Sequence, residues 1–260
     1  MKLVRFTAKE WSDTDTPQWG ILEDEEIQIL SEEPFAGIFR EEKACPASGA
    51  RLLPPVRPGK VVCVGYNYIG HIEEMGQQVP DEPLLFLKAS SAIVGNGENI
   101  LLPPESERVD YEGELAVVIG TRCRRVSTSD AERVILGYTI LNDVTARDLQ
   151  RKDGQFSRGK SFDTFCPLGP WIETDLDPSE TDIVTRVNGE IRQDAAVSSM
   201  IFSSAFLVSY VSQAMTLEPG DVIATGTPAG VGPLAEGDEV SISVDGLGVL
   251  ANPVRSEQDR

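Results

Sequence analysis

Apolar runs of four to seven residues alternate with polar turns along most of this chain, and most runs are too short for helices. Lys2–Thr7, Gln18–Leu22 and Glu26–Leu30 predict three short strands, with Glu23-Asp24-Glu25 as a polar turn. Val61-Val62-Cys63-Val64 is apolar at every position, as in a strand buried on both faces, and Gly65 ends it. Further strands are predicted at Leu84–Lys88, Glu114–Ile119, Tyr138–Leu141, Leu168–Ile172, Ile183–Val187, Asp221–Ala224, Glu239–Val244 and Gly248–Ala251. Asn188-Gly189 and Asp245-Gly246 are hairpin-turn dipeptides, because both residue pairs tolerate positive φ.

Two segments carry helical spacing. Thr128 or Ser129 caps the first, Asp130 and Glu132 fall in its first turn, and Gly137 is expected to stop it. The second runs from Ser199 to about Met215. Its stripe of Phe202, Phe206 and Tyr210, with Val208 and Val211 beside it, predicts a core-facing helix. Strands and helices do not alternate regularly, which excludes a doubly wound fold. The expected class is α+β, mostly β, with antiparallel or mixed sheets. The stiff stretch Leu53–Gly59, rich in proline, marks a boundary between a small N-terminal β unit, 1–56, and a main unit, 57–260.

Composition narrows the chemistry. The 260 residues hold 23 Lys+Arg against 42 Asp+Glu, a net charge of −19. Nucleic acid and anionic membranes are therefore excluded as partners, since both need a basic face. No apolar run approaches the ~20 residues of a membrane helix. The opening residues lack a signal-peptide pattern, and four widely spaced cysteines fit a reducing cytoplasm. A single histidine, His71, excludes a three-histidine zinc site. The acid excess reads first as a solvated surface. With scarce lysine it also resembles proteins of salt-loving organisms, where a Debye length of ~3 Å at molar salt makes self-repulsion tolerable.

Five places are candidates for chemistry. In a strand, Glu112 and Glu114 share a face, so their carboxylates converge and favour a hard divalent ion between them. The plain alternative is an acidic strand edge. Asp143 ends an apolar strand, and Asp143, Arg147 and Gln150 share one face if a helical turn follows. That face suits an oxyacid, although Asp143–Arg147 equally suits a surface pair. Lys160, in a Gly/Ser-flanked loop before the Cys166-Pro167 turn, is placed to neutralise an enolate or simply to meet solvent. His71 and Glu74 are three apart, the spacing of an oriented imidazole on a helix. Thr225–Gly232 is a Gly-rich turn containing Thr227. It lacks the Gly-Lys-Ser/Thr of a phosphate loop, but its amides suit an oxyanion.

The ordered set G-Y-N-Y-x-x-H-x-x-E, P-L-L-F-L-K, Y-E-G-E-L, N-D-V-T-A-R-D-L-Q, G-K-S-F-D-T-F-C-P, V-N-G-E-x-R-Q and T-G-T-P-x-G-V-G resembles the fumarylacetoacetate hydrolase family over residues 60–250. The resemblance is to the smaller branch of acylpyruvases and 2-hydroxyhepta-2,4-diene-1,7-dioate isomerases. It implies a mixed β-sandwich roll, a homodimer and a Mg²⁺ or Mn²⁺ site. Glu112, Glu114 and Asp143 match the family's metal carboxylates, and Lys160 matches its active-site lysine. Arg147, Gln150 and Thr227 match groups near the substrate, and His71 with Glu74 matches the acylpyruvase dyad. Asn67 departs from the aspartate of the animal tyrosine-degrading enzymes, which implies a three-carboxylate site. The implied reaction is C–C hydrolysis of a 2,4-dioxo acid, or decarboxylation of oxaloacetate, through an enolate. The alternatives are the diene-dioate isomerase and a non-catalytic cation-binding β module.

Overall fold

The computed structural model describes residues 1–8 and 16–257. Twelve strands form one mixed sheet. Its main path begins with the N-terminal meander of Arg40–Pro46, Glu26–Leu30, Gln18–Glu23 and Lys2–Thr7. Lys2–Thr7 then pairs antiparallel with Cys166–Glu173, so the N-terminal strands extend the sheet of the main unit. The path continues through Ile135–Asn142, Gly113–Ile119, Val222–Ala224, Val61–Gly65 and Leu84–Lys88. A second sheet of five strands holds Glu190–Ala196, Asp182–Val187, Glu239–Val244, Gly248–Ser256 and Ile100–Leu102. A third joins Thr145–Ala146, Val109–Tyr111 and Gly232–Pro233.

Period-two alternation explains why the central strands are apolar throughout. Val61 and Cys63 enter one core with Ala116, Val118 and Val222. Val62 and Val64 enter the other with Leu115, Val117 and Ile223, against Ile183, Ile242 and Val244 of the second sheet. The architecture is mostly β, as the pattern of runs predicts. Asn188 and Gly189 take φ of 53° and 81°, as a two-residue hairpin turn requires.

Four α-helices are short: α1, Ile69–Glu74; α2, Arg147–Asp153; α3, Ser157–Lys160; and α4, Ser204–Ala214. Among the described residues no helix is long and apolar enough to cross a membrane.

Several local expectations are corrected. Thr128–Val134 is a 3₁₀ helix that gives way to strand at Ile135, so Gly137 is a strand residue and not a helix stop. A Cβ on Gly137 would stand 2.4 Å from the Glu173 carbonyl oxygen, so close strand approach explains this glycine. Helix α4 starts at Ser204, with Ser203 as its cap. Its core face is Leu207, Val208 and Val211. Phe202, Phe206 and Tyr210 instead stack on one another along its outer side, and Phe206 is 38% exposed. Cys166-Pro167 opens a strand and is not a turn.

Candidate active site

The site forms where Gly113–Ile119 begins. Glu112 lies at the break after Val109–Tyr111, and Glu114 shares the face of Ala116. Gly113 between them admits no side chain, because its Cβ would meet Thr185 Oγ1 at 2.2 Å. Asp143 follows the paired strand Ile135–Asn142, and its N–H donates to the Glu112 carbonyl at 2.8 Å. Neighbouring strand ends thus bring Glu112, Glu114 and Asp143 together. All three are buried, with ligand oxygens within 4.8 Å of one another.

The predicted helical face is corrected in part. Asp143 lies outside α2, and Arg147 does not pair with it. Arg147 donates to Glu112, to Asp110 at 3.0 Å and to Gln150 at 2.9 Å. Asp143 instead accepts from Lys160 Nζ at 2.6 Å, and Lys160 also donates to Glu112 at 2.7 Å. Lys160 ends α3 and does not lie in a loop.

Burial alone would keep these acids neutral, and the charges decide which of them ionise. Burial opposes ionisation of Glu112, but Lys160 and Arg147 outweigh it and hold Glu112 well below the usual carboxylate range. Burial and the charges of Asp143 and Glu112 push Glu114 well above it. Lys160 stays charged against burial because Asp143 and Glu112 flank it. Burial pushes the Cys166 thiol up to about 12. The donor set is all carboxylate, which fits a hard cation such as Mg²⁺ or Mn²⁺.

His71 and Glu74 lie on α1, with Nδ1 and Oε2 3.1 Å apart. His71 is buried and stacks on Tyr66. One cavity of about 30 Å³ is lined by His71, the three carboxylates, Arg147, Gln150, Lys160 and Thr227. Every predicted site residue except Glu74 reaches it. With α1 in this position its volume is roughly that of two waters.

The Gly-rich turn does bind carboxylates, but they are the protein's own. Gly226 N–H donates to Glu114 at 2.8 Å, and Gly230 N–H donates to Glu74 at 3.1 Å. Thr227 donates its hydroxyl hydrogen to the Gly113 carbonyl at 2.9 Å and accepts from Gln193 at 2.7 Å. Its methyl and backbone remain for a substrate. Asn67 spends its amide on the Thr225 and Phe202 carbonyls and accepts from Phe202 N–H, a clamp between loops.

Sequence reasoning missed three buried participants. Lys88 reaches Asp143 and the Val144 carbonyl. Asp110 links Arg147 to Arg108. Gln193 accepts from Gly113 N–H at 3.0 Å and donates to Thr227. A buried-type strand ending in Lys, L-L-F-L-K, was the one available signal for Lys88.

The fold is mostly β, and the site is a buried triad of carboxylates with Lys160, Arg147 and His71 around one cavity. The sequence profile of the fumarylacetoacetate (FAA) hydrolase C-terminal family matches residues 60–255, and an Rv2993c-like N-terminal profile matches residues 1–55. The chain belongs to the fumarylacetoacetate hydrolase family, whose members are enzymes. It is 49% identical over 222 residues to the mitochondrial oxaloacetate tautomerase FAHD2A of Bos taurus, covering 80% of this chain and 71% of that one. The structure of 5-carboxymethyl-2-hydroxymuconate delta-isomerase from Mycobacterium smegmatis superposes with a TM-score of 0.92 at 45% identity, over 99% of this chain and 100% of the other. Maleylpyruvate hydrolase from Sphingobium sp. SYK-6, in complex with manganese and pyruvate, gives 0.80 at 31% identity over the same shares. Membership in an enzyme family removes the reading as a non-catalytic binding module.

Proposed function

We propose that the chain is a Mg²⁺- or Mn²⁺-dependent enzyme that carries a 2-oxo acid through an enolate. Its reaction is C–C hydrolysis of an acylpyruvate-type 2,4-dioxo acid or decarboxylation of oxaloacetate. The observation that carries this reading is Lys160 held between Glu112 and Asp143 in the cavity that His71 closes. A cation held by Glu112, Glu114 and Asp143 would supply Lewis-acid stabilisation of the substrate's carboxylate and keto oxygens. Lys160 offsets the negative charge that develops on the keto oxygen. Arg147 and Gln150 bind the substrate carboxylate, and Thr227 forms the opposite wall. Glu74 holds His71 through Nδ1, leaving Nε2 to take a proton from water. That water attacks the distal carbonyl, the C–C bond breaks, and pyruvate enolate leaves with a carboxylic acid.

Proton transfer without bond cleavage is the second reading. The likeness to the bovine tautomerase and the mycobacterial isomerase, at 49% and 45% identity, favours it. A panel of acetylpyruvate, fumarylpyruvate, oxaloacetate and a hydroxy-diene-dioate with Mg²⁺, followed by product analysis, separates the two. EDTA abolishes turnover and Mg²⁺ restores it; full activity after thorough chelation ends the metal reading. His71→Ala lowers hydrolysis by ~10²–10⁴-fold if imidazole is the base.

We further propose a homodimer, carried by the family resemblance and tested by light scattering, in a cytoplasm rich in salt. Four free, buried cysteines support a reducing compartment. The separate profiles for residues 1–55 and 60–255 support units 1–56 and 57–260.

A further inference from the structure

Helix α1 lines the cavity with His71, and Met75 just beyond the helix also lines it. What holds α1 against the site is visible in the structure. Both carboxylate oxygens of Glu74 accept from Gly230 N–H, at 3.1 and 3.3 Å. The next contact is steric: a Cβ on Gly70 of α1 would meet the Ala229 side chain at 3.4 Å. The orientation of the Gly230 peptide therefore decides whether Glu74 finds a donor.

Residue Gly230 itself is held from two sides. Gly230 has φ +100°, and a Cβ there would stand 1.9 Å from the Arg192 carbonyl oxygen, so the position tolerates no side chain. The Gly230 carbonyl accepts from Tyr111 Oη at 2.8 Å. Tyr111 is buried, its strand pairs with Gly232, and it directly precedes Glu112. A series of contacts thus runs from the strand that leads into Glu112, through the Tyr111 hydroxyl and the carbonyl and N–H of Gly230, to Glu74 and His71.

We propose that Tyr111 is a positioning residue: its hydroxyl holds the Gly230 carbonyl, which fixes the backbone conformation of Gly230 and so the direction of the N–H that docks Glu74, and α1 packs with the His71–Glu74 pair in one orientation. The consequence for turnover rests on the dyad reading given above. The docking does not, because it is measured without substrate.

Tyr111→Phe keeps the ring and removes only the hydroxyl. Hydrogen exchange on the metal-loaded protein reads the dock directly. Amides of residues 69–75 exchange roughly fivefold faster in Tyr111→Phe, the scale of one lost hydrogen bond. Glu74→Ala gives the same acceleration, and adding Tyr111→Phe to it changes nothing further, because the two act through one contact. Mn²⁺ affinity, read by electron paramagnetic resonance, is unchanged, and kcat falls several-fold. Unchanged exchange over 69–75, or additive effects in the double variant, overturns the proposal. A parallel loss of Mn²⁺ affinity also overturns it, because Tyr111 would then serve the carboxylates. If His71→Ala leaves turnover intact while Tyr111→Phe still loosens residues 69–75, the dock stands and the dyad's role falls.

Discussion

Lys88 and Lys160 reach the two oxygens of Asp143, one each. Packing Glu112, Glu114 and Asp143 together in the interior is unfavourable unless cations offset their charge; Lys88, Lys160 and Arg147 pair with Asp143 and Glu112, while Glu114 accepts from Gly226 N–H. Lys88→Met leaves one Asp143 oxygen buried without its partner. It destabilises the protein by on the order of 3 kcal/mol, read from the urea midpoint. A midpoint equal to that of the parent chain shows that Lys160 alone suffices. The sequence carries both Lys160 and Lys88 in its motifs but gives Lys88 no partner. Only the register Val61↔Lys88 brings the end of that strand under Asp143. Gln193 was hidden for the same reason: it lies in the second sheet and reaches Gly113 across 80 positions of sequence.

Short elements here hold their places through side chains at their ends. In the first turn of α2, Asp148 accepts from the Ser106 hydroxyl at 2.6 Å and from Glu107 N–H at 3.1 Å, tying the helix that bears Arg147 to a neighbouring loop. Burial opposes its ionisation, but these donors prevail and hold its carboxyl below the usual aspartate range. The sign follows from linkage: ionised Asp148 stabilises the fold above the unfolded pKa, and the gain disappears as pH falls through the folded one. Asp148→Ala therefore lowers stability by about 1 kcal/mol at neutral pH, and the difference fades as pH falls through the lowered folded pKa of Asp148. Melting curves of both proteins from pH 7 to pH 3 test this, and a gap that persists undiminished in acid contradicts it. Elements are also where sequence reading errs most. Period alone made Phe202, Phe206 and Tyr210 a core stripe on α4. The smaller Leu207, Val208 and Val211 fit the space against the sheet, and the aromatics stack outside.

At the scale of the molecule, 42 acids against 23 bases leave a net charge of −19. Asp110, Glu112, Asp143 and Asp221 are buried with cations beside them, and Glu114 is buried next to Glu112 and Asp143. Most of the rest repel one another across the surface, and salt screens that repulsion within ~3 Å at 1 M. The melting temperature rises steeply with KCl between low and molar concentration. Full stability at low ionic strength contradicts this. The continuous sheet from Arg40–Pro46 to Leu84–Lys88 also changes the sense of the proline-rich boundary. Arg51–Leu53 pairs with Lys2–Thr7 just before it, so the boundary joins two parts of one sheet.

Sequence alone determined what depends on neighbours in the chain. Period-two apolar runs gave the strands, turn dipeptides the hairpins, and Gly between Glu112 and Glu114 the paired carboxylates. The spacing of three from His71 to Glu74 gave the oriented pair, and the ordered motifs gave the family. The tertiary structure alone decided what depends on register and packing. It set which lysine meets which oxygen of Asp143, that Arg147 turns to Glu112 and Asp110, and that the Gly-rich turn holds the protein's own carboxylates. Those contacts join residues scores to more than a hundred positions apart, and no local pattern encodes the strand order that brings them together.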